Sequence, residues 1–416
     1  MKHYAVANIL ESYFYMGMSR RLFWVQKTRS RNMCMLFVTL MIIPILVPLL
    51  KNLLTGLMNS NEMLAMERSL ITFNGSIQSM NIERTSDPVL IFTCLGSSAL
   101  SKHQTYIWQS MTQARIVNPS IKMVLILSKQ AFKSNVARKL KKLNITPEIN
   151  DDLISNETLI QDFRRIFFIE DPMEPGGNKE FAQFTLERLL SIYIYIKKND
   201  QVHVFHIEND NMLYVDLYKL NKRMKECRVS LAVPKAAKNI AVVSFMYIRS
   251  FHALEQLVEW CVRVFHLGRN GAIKFMKSSF INDMTLTARY LDLLGSTNEQ
   301  SKTSGVYVLQ TEFVDKAQEC CLCFLESKPI IFDACVLGQY FGGTYAKPNV
   351  SHWEPTRLMD PRNETLSWRY LNSQIKIPYI KNQRIANIHV HSKRLEKFSS
   401  LGDYQTTGFT NNNNKF

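Results

Sequence analysis

The sequence predicts an α/β protein, a mixed sheet with helices on both faces, preceded by one N-terminal transmembrane helix. Two observations predict the domain and a third predicts the anchor. From Pro88 onward, short apolar runs rich in β-branched residues alternate with helix-length amphipathic stretches, the pattern of strand–helix–strand units. One run, Val202-His203-Val204-Phe205-His206-Ile207, breaks abruptly into Glu208-Asn209-Asp210-Asn211. A buried strand thus ends in carboxylates, at the edge where open α/β sheets bind ligands. Ahead of the domain, Met33 to Leu50 is 18 residues without a charge.

That apolar span, at a rise of ~1.5 Å per residue, is about 27 Å long, close to a hydrocarbon core. Pro44 and Pro48 are tolerated in a membrane helix. A cleaved signal peptide would begin earlier and carry a shorter apolar core. Arg20, Arg21, Lys27, Arg29 and Arg31 precede the span, so the positive-inside rule keeps residues 1–32 cytoplasmic and sends the rest to the lumen. The anchor is assigned to 33–57 and a polar stem to 58–87. The expected location is the Golgi or endoplasmic reticulum membrane, single-pass type II. Sequons at Asn74, Asn144, Asn156, Asn349 and Asn363 permit lumenal exposure.

The remaining elements follow in order. Val89–Cys94 is the first strand, with a helix over 103–116. Ile121–Leu127 is the second strand, with a basic helix over 129–142. The run from Arg165 to Ile169 reads as the third strand, and 180–197 as a helix leading into 202–207. Strands are expected at 229–233, 241–247, 306–309 and 330–332, helices at 253–265 and 283–294, and a polar loop at 296–304. The domain closes at 398, and 399–416, ending Asn-Asn-Asn-Asn-Lys-Phe, reads as a disordered tail.

The chain has 416 residues and a formal net charge of +16. Its Lys and Arg are dispersed and no zinc-finger or RNA-recognition pattern is present, which argues against nucleic acid and is compatible with a phosphate-bearing ligand. Eight cysteines include Cys34 inside the span, leaving seven beyond it. Disulfides are expected if that part is lumenal, with at least one thiol left over. Zinc binding by Cys320, Cys321 and Cys323 would need ligands from elsewhere.

Glu208 and Asp210 are two carboxylates at i and i+2, on one side of the chain if the strand continues. Two acidic oxygens at a strand end suit a hard cation, Mn2+ or Mg2+, completed by phosphate oxygens and water. Asp333 is the best single carboxylate for a general base, though Asp before Ala334-Cys335-Val336-Leu337 is more often a helix N-cap, and the two roles are not exclusive. Gly338, Gly342 and Gly343 permit close backbone approach to a ligand, or make an ordinary turn. His203 and His206 read as core histidines.

Glu208-Asn209-Asp210 resembles the metal-binding Asp-x-Asp corner of nucleotide-sugar glycosyltransferases with the GT-A fold, with Glu in the first place. HIENDNMLYVDL at 206–217, FDACVLGQYFGGT at 332–344 and NIHVHSK at 387–393 resemble one subgroup of these enzymes, in that order. The resemblance covers roughly 88–400. It implies a GT-A-like, Rossmann-type sheet over 88–398 and a nucleotide-sugar donor. The sugar would pass to a glycan, glycoprotein or lipid acceptor with Mn2+ (or Mg2+) as cofactor. It implies a C-terminal histidine as third metal ligand, His389 or His391. Strand spacing puts both on one side, and His391, beside Ser392-Lys393, is slightly preferred. A ring nitrogen favours Mn2+. Lys393 would lie near the donor diphosphate, with Gly342 and Gly343 beside the donor. Arg188 reaches the diphosphate or stays on a solvated helix face. Fold analogy places Thr93 and Gln104 at the nucleotide base. The Glu at 208 keeps open an inactive scaffold. A lumenal metal-dependent phosphohydrolase usually shows more carboxylates than this one corner.

Overall fold

In a computed structural model, residues 86–96, 100, 105–168, 179–295, 298–313, 321–348 and 350–401 are described. All belong to one compact unit, Met66–Phe416. The expected cytoplasmic segment 1–32, the anchor 33–57 and residues 58–85 of the stem lie outside the described residues. Among the described residues no helix is long and apolar enough to cross a membrane.

The main sheet has eight strands. β1 (Val89–Cys94), β2 (Lys122–Leu127), β3 (Ile145–Ile149) and β4 (Val204–Ile207) run parallel in the order β3-β2-β1-β4. β8 (Phe245–Ile248) then pairs antiparallel with β4 and with β6 (Leu231–Ala237). β7 (Ile240–Ala241) and β9 (Val306–Leu309) flank β6. Leu90, Phe92 and Cys94 share one core with Ile107 and Met111 of the helix Thr105–Val117. The intervening Ile91 and Thr93 are buried too, so both faces of the sheet are covered, as its continuous apolar runs require.

A second, smaller sheet has the order β10-β11-β14-β13-β12, and β5 (Asn211–Leu213) pairs antiparallel with the last residues of β14, Asn387 to His389, beyond the stretch paired with β13. These strands are β10 (Phe324–Leu325), β11 (Lys328–Phe332), β12 (Ser367–Tyr370), β13 (Lys376–Ile380) and β14 (Gln383–His389). Its core joins Met212, Ile331, Ile385, Ile388 and Val390. The chain therefore leaves the large sheet at Ile207 and enters the small one at Asn211, and the acidic corner is the crossing.

Three local expectations are corrected. The strand expected from Arg165 to Ile169 is not formed, because Thr158–Ile166 is a helix burying Ile160 and Phe163. Phe167 and Phe168 then pack on Phe265. The third parallel strand is instead Ile145–Ile149, which carries Pro147 and sits at the sheet edge, where proline costs no ladder hydrogen bond. The polar stretch expected as a loop holds a helix, Asn298–Ser304, tied to the core through Ser304 Oγ donating to Leu294 O at 2.7 Å. The tail begins later than 399. Ser400 is fully buried and exchanges hydrogen bonds with Gln113 at 2.6 and 3.0 Å. Residues 402–416 lie outside the described residues.

Cys227 and Cys321 form a disulfide spanning 94 residues, so Cys321 is no zinc ligand.

Candidate metal centre

β4 ends at Ile207, so Glu208 and Asp210 are not brought together by strand alternation. A tight turn does it, closed by Asn211 N donating to Glu208 O at 3.1 Å. The turn is fixed on both sides. Glu208 N and Asn211 Nδ2 both donate to Ser244 O at 2.9 Å, and Asn209 Nδ2 donates to Thr93 O at the end of β1. Ser110 Oγ, from the helix Thr105–Val117, donates to Asn211 O at 2.6 Å.

β14 closes the site. Its register against β5 sets His389 opposite Asn211, and Val390 N donates to Asp210 O at 2.8 Å. His389 Nε2 lies 3.3 Å from Glu208 Oε2 and 3.1 Å from Asp210 Oδ2. Glu208, Asp210 and His389 each offer one ligand atom, and these atoms lie within 4.8 Å of one another. Two carboxylate oxygens and one imidazole nitrogen at this spacing fit a divalent cation of the Mn2+ type.

His389, not His391, is therefore the histidine at the corner. The preference for His391 is corrected by the β14–β5 pairing, which ends at His389. His391 lies beyond the strand and its Nδ1 accepts from Tyr345 N at 3.4 Å. Burial, with the positive neighbours His389 and Lys393, pushes its pKa down to about 4.

The carboxylates have partners within the chain. Arg188 pairs with Glu208 Oε1 through one guanidinium nitrogen and with Asp283 Oδ2, at 2.9 Å, through another. It is buried between them, not on a solvated helix face. Lys393 pairs with Asp210 Oδ2, its ammonium 5.5 Å from the centre of the Tyr106 ring. Burial opposes ionisation of Glu208, but Arg188 and His389 outweigh it and hold the pKa below the usual range. Burial also opposes Asp210, and there His389 and Lys393 lower the pKa well below. Burial disfavours the imidazolium of His389, yet the Asp210 carboxylate holds its pKa well above the ordinary value. Asp283 is raised, because burial exceeds the help from Arg188.

Asp333 is spent on structure. It is fully buried. Oδ1 accepts from Leu337 N at 2.9 Å, and Oδ2 from Gly338 N at 2.9 Å and His389 N at 3.0 Å. These bonds tie the first turn of the helix Val336–Gly342, whose N-cap position is Cys335, to the end of β14, a buried structural use of the carboxylate that does not present it to solvent. The glycines are likewise accounted for by packing. A Cβ on Gly338 would lie 1.8 Å from His389 O, and one on Gly342 would lie 3.2 Å from the Phe398 ring. Gly343 has φ +78, with Lys347 O 2.5 Å from the position of a Cβ. Thr93 stands beside the corner, and Gln104 lies outside the described residues.

Asp283 and Tyr106 were not anticipated. Asp283 follows the capping residue Asn282, so in sequence it reads as ordinary helix-start chemistry. Nothing local marks Tyr106. Asn387 faces the same way as His389, and its Nδ2 donates to Asn211 Oδ1 at 3.1 Å and Asp333 O at 3.0 Å, which ties the turn to β14.

The site thus belongs to a mixed α/β sheet protein with a compact carboxylate–imidazole cluster beyond the carboxyl ends of its parallel strands. Several of the solved structures it resembles are glycosyltransferases. Mouse xyloside xylosyltransferase 1 is 8% identical with a TM-score of 0.37, covering 55% of this chain and 89% of that one. The galactosyltransferase LgtC, in complex with donor and acceptor sugar analogs, is 12% identical with a TM-score of 0.34, covering 54% and 75%. The PaToxG glycosyltransferase is 12% identical with a TM-score of 0.35, covering 59% and 89%. At these identities and scores no residue role is transferred from them. No family model matches the chain, and no curated protein matches it in sequence.

Proposed function

We propose that the chain is a metal-dependent glycosyltransferase of the secretory pathway, moving a sugar from a nucleotide-diphosphate donor to an acceptor hydroxyl. The observation that carries this reading is the convergence of Glu208, Asp210 and His389 at the crossing of the two sheets. Bound there, Mn2+ would supply Lewis-acid stabilisation of the leaving diphosphate. The chain's own residues do the rest. Asp283 anchors Arg188, Arg188 holds one oxygen of Glu208, and the other oxygen stays turned towards His389. Lys393 brings a compact positive charge to the corner, suited to phosphate oxygens. Thr93 and Gln104 are kept as candidate contacts to the nucleotide.

A lumenal location is supported by the Cys227–Cys321 disulfide, since such bonds persist in oxidising compartments. Exposure of the described sequon residues Asn144, Asn156 and Asn363 agrees with it. Together with the apolar span at 33–57, this favours a type II anchor in the Golgi or endoplasmic reticulum.

One observation favours a second reading, a non-catalytic scaffold. Both corner carboxylates are already paired with cations of the chain. Mn2+-dependent release of UDP or GDP from a panel of their sugars by the purified chain separates the two. Slow release that vanishes in Asp210→Asn is expected of the transferase. A scaffold gives none. A phosphohydrolase would turn over p-nitrophenyl phosphate faster than any nucleotide-sugar.

A further inference from the structure

We propose that the Lys393 ammonium is the chain's own stand-in for the metal: it holds the cation's place on Asp210 in the metal-free protein and leaves for the donor diphosphate when the cation enters. This rests on Glu208, Asp210 and His389 being the ligand set.

The two cations at the corner are placed differently. Arg188 takes Glu208 Oε1 and leaves Oε2, the oxygen facing His389, open. Lys393 sits on Asp210 Oδ2, the same oxygen that lies 3.1 Å from His389 Nε2. It therefore covers the atom with which Asp210 faces the cluster.

They also differ in freedom. The Arg188 side chain is 11% exposed and anchored at its far end by Asp283. Moving it would strand a second buried carboxylate, which is costly. The Lys393 side chain is 30% exposed, in the turn after β14 closed by Lys393 N donating to Val390 O at 2.9 Å. Among the described residues its ion pair is with Asp210, and its stem is a flexible four-carbon chain. A divalent cation arriving on Asp210 and His389 would meet an ammonium at the same oxygen, and like charges at that distance repel strongly in a buried setting. Lysine is the one that yields.

Without the metal, Lys393 keeps Asp210 and Glu208 from repelling one another. With the metal, it becomes a free point charge beside the cation, where the phosphates of a donor would lie. Metal and diphosphate binding are then coupled, because the diphosphate gives the displaced ammonium a partner.

The test is Lys393→Met, which keeps the unbranched stem and removes the charge. Lys393 has φ +64, and an unbranched Met is no more strained there. Free Mn2+ is counted by electron paramagnetic resonance in titrations of the full chain, without reference to turnover. Lys393→Met should bind Mn2+ alone at least about tenfold more tightly than the wild type. It should bind the Mn2+–pyrophosphate complex about tenfold more weakly. Lys393→Arg should stay near the wild type in both. A merely structural lysine would weaken both affinities together.

Mn2+ affinity in Lys393→Met that equals or falls below that of a metal-binding wild type overturns the proposal. Tighter binding of both probes overturns its diphosphate half. Mn2+ binding by Lys393→Met where the wild type shows none supports the occupied-site picture in its strongest form. If neither chain binds Mn2+, the ligand set itself has failed and this inference falls with it.

Discussion

Glu208 divides its two oxygens between Arg188 and His389, and Asp210 turns the oxygen facing His389 towards Lys393 as well. At this scale the choice between the two C-terminal histidines decides the chemistry. His389→Ala is expected to weaken Mn2+ binding by more than about 100-fold, and His391→Ala by less than about tenfold, as befits a group outside the ligand set. Isothermal titration of each variant checks this, and equal losses would return His391 to the site. The acidic pair by itself is a weak signal, and it was legible because the stretches at 206–217, 332–344 and 387–393 agree in order. The histidine was not, since period 2 puts both on the same side and only the pairing of β14 with β5 separates them. Asp283 had no local signal at all, since it meets Arg188 across 95 residues.

A second residue-scale expectation concerns acid stability. Burial, with Lys225 and Arg249 nearby, lowers the pKa of His203 to about 4, while its Nδ1 lies 2.8 Å from the Tyr247 hydroxyl. The folded state therefore favours the neutral ring. This contribution is complete above the unfolded pKa near ~6.5 and is lost as pH falls towards the folded value, amounting to roughly 3 kcal/mol at most. His203 sits at φ +58, where Asn is tolerated. Urea melts between pH 7 and 4 should show a shallower loss in His203→Asn than in the wild type, and an unchanged slope would mean that His203 titrates normally.

At the scale of elements, the site exists because the helix Val336–Gly342 lies against the end of β14. Gly338 makes that approach possible, since a Cβ there would fall 1.8 Å from His389 O. Gly338→Ala must push the helix or the strand aside. It is expected to cost about 3 kcal/mol, as overpacking does, and to weaken Mn2+ binding because His389 moves with its backbone. A chemical melt and a metal titration on the same variant read both effects. An unchanged metal affinity in a folded, destabilised variant would uncouple this contact from the site.

The parallel half of the large sheet was readable as runs buried on both faces. Ile145–Ile149 was not, because Pro147 and its half-exposed residues disguise an edge strand. The run around Phe167 and Phe168 imitates a strand in composition, but its rings are used to cover Phe265. The helix Asn298–Ser304 has no apolar period, since the buried hydroxyls of Ser301 and Ser304 tie it to the backbone of Gly295 and Leu294.

For the whole molecule, the Cys227–Cys321 bond closes a loop of 94 residues between the helix Leu217–Glu226 and the segment leading to β10. In the chain-entropy picture, losing such a cross-link costs about 4–5 kcal/mol. Cys321→Ser should lower the melting temperature and reduce the sensitivity of stability to dithiothreitol, leaving the part that comes from the second disulfide, at Cys323. A reductant-insensitive wild type would contradict the bond. The type II reading adds that glycosidase treatment of the secretory-cell product shifts its mass through sequons such as Asn144 and Asn363. An unshifted chain with its C-terminus open to cytosolic protease would reverse the topology.

All of these expectations turn on a cation held by Glu208, Asp210 and His389. Pulsed electron paramagnetic resonance of Mn2+ bound to the purified chain tests that most directly, because a coordinated imidazole couples its nitrogen to the metal spin. The expected result is one such coupling in the wild type and in His391→Ala, none in His389→Gln, and no bound Mn2+ in Asp210→Asn. Bound Mn2+ without nitrogen coupling, or a signal indifferent to Asp210→Asn, would place the metal elsewhere and contradict the assignment.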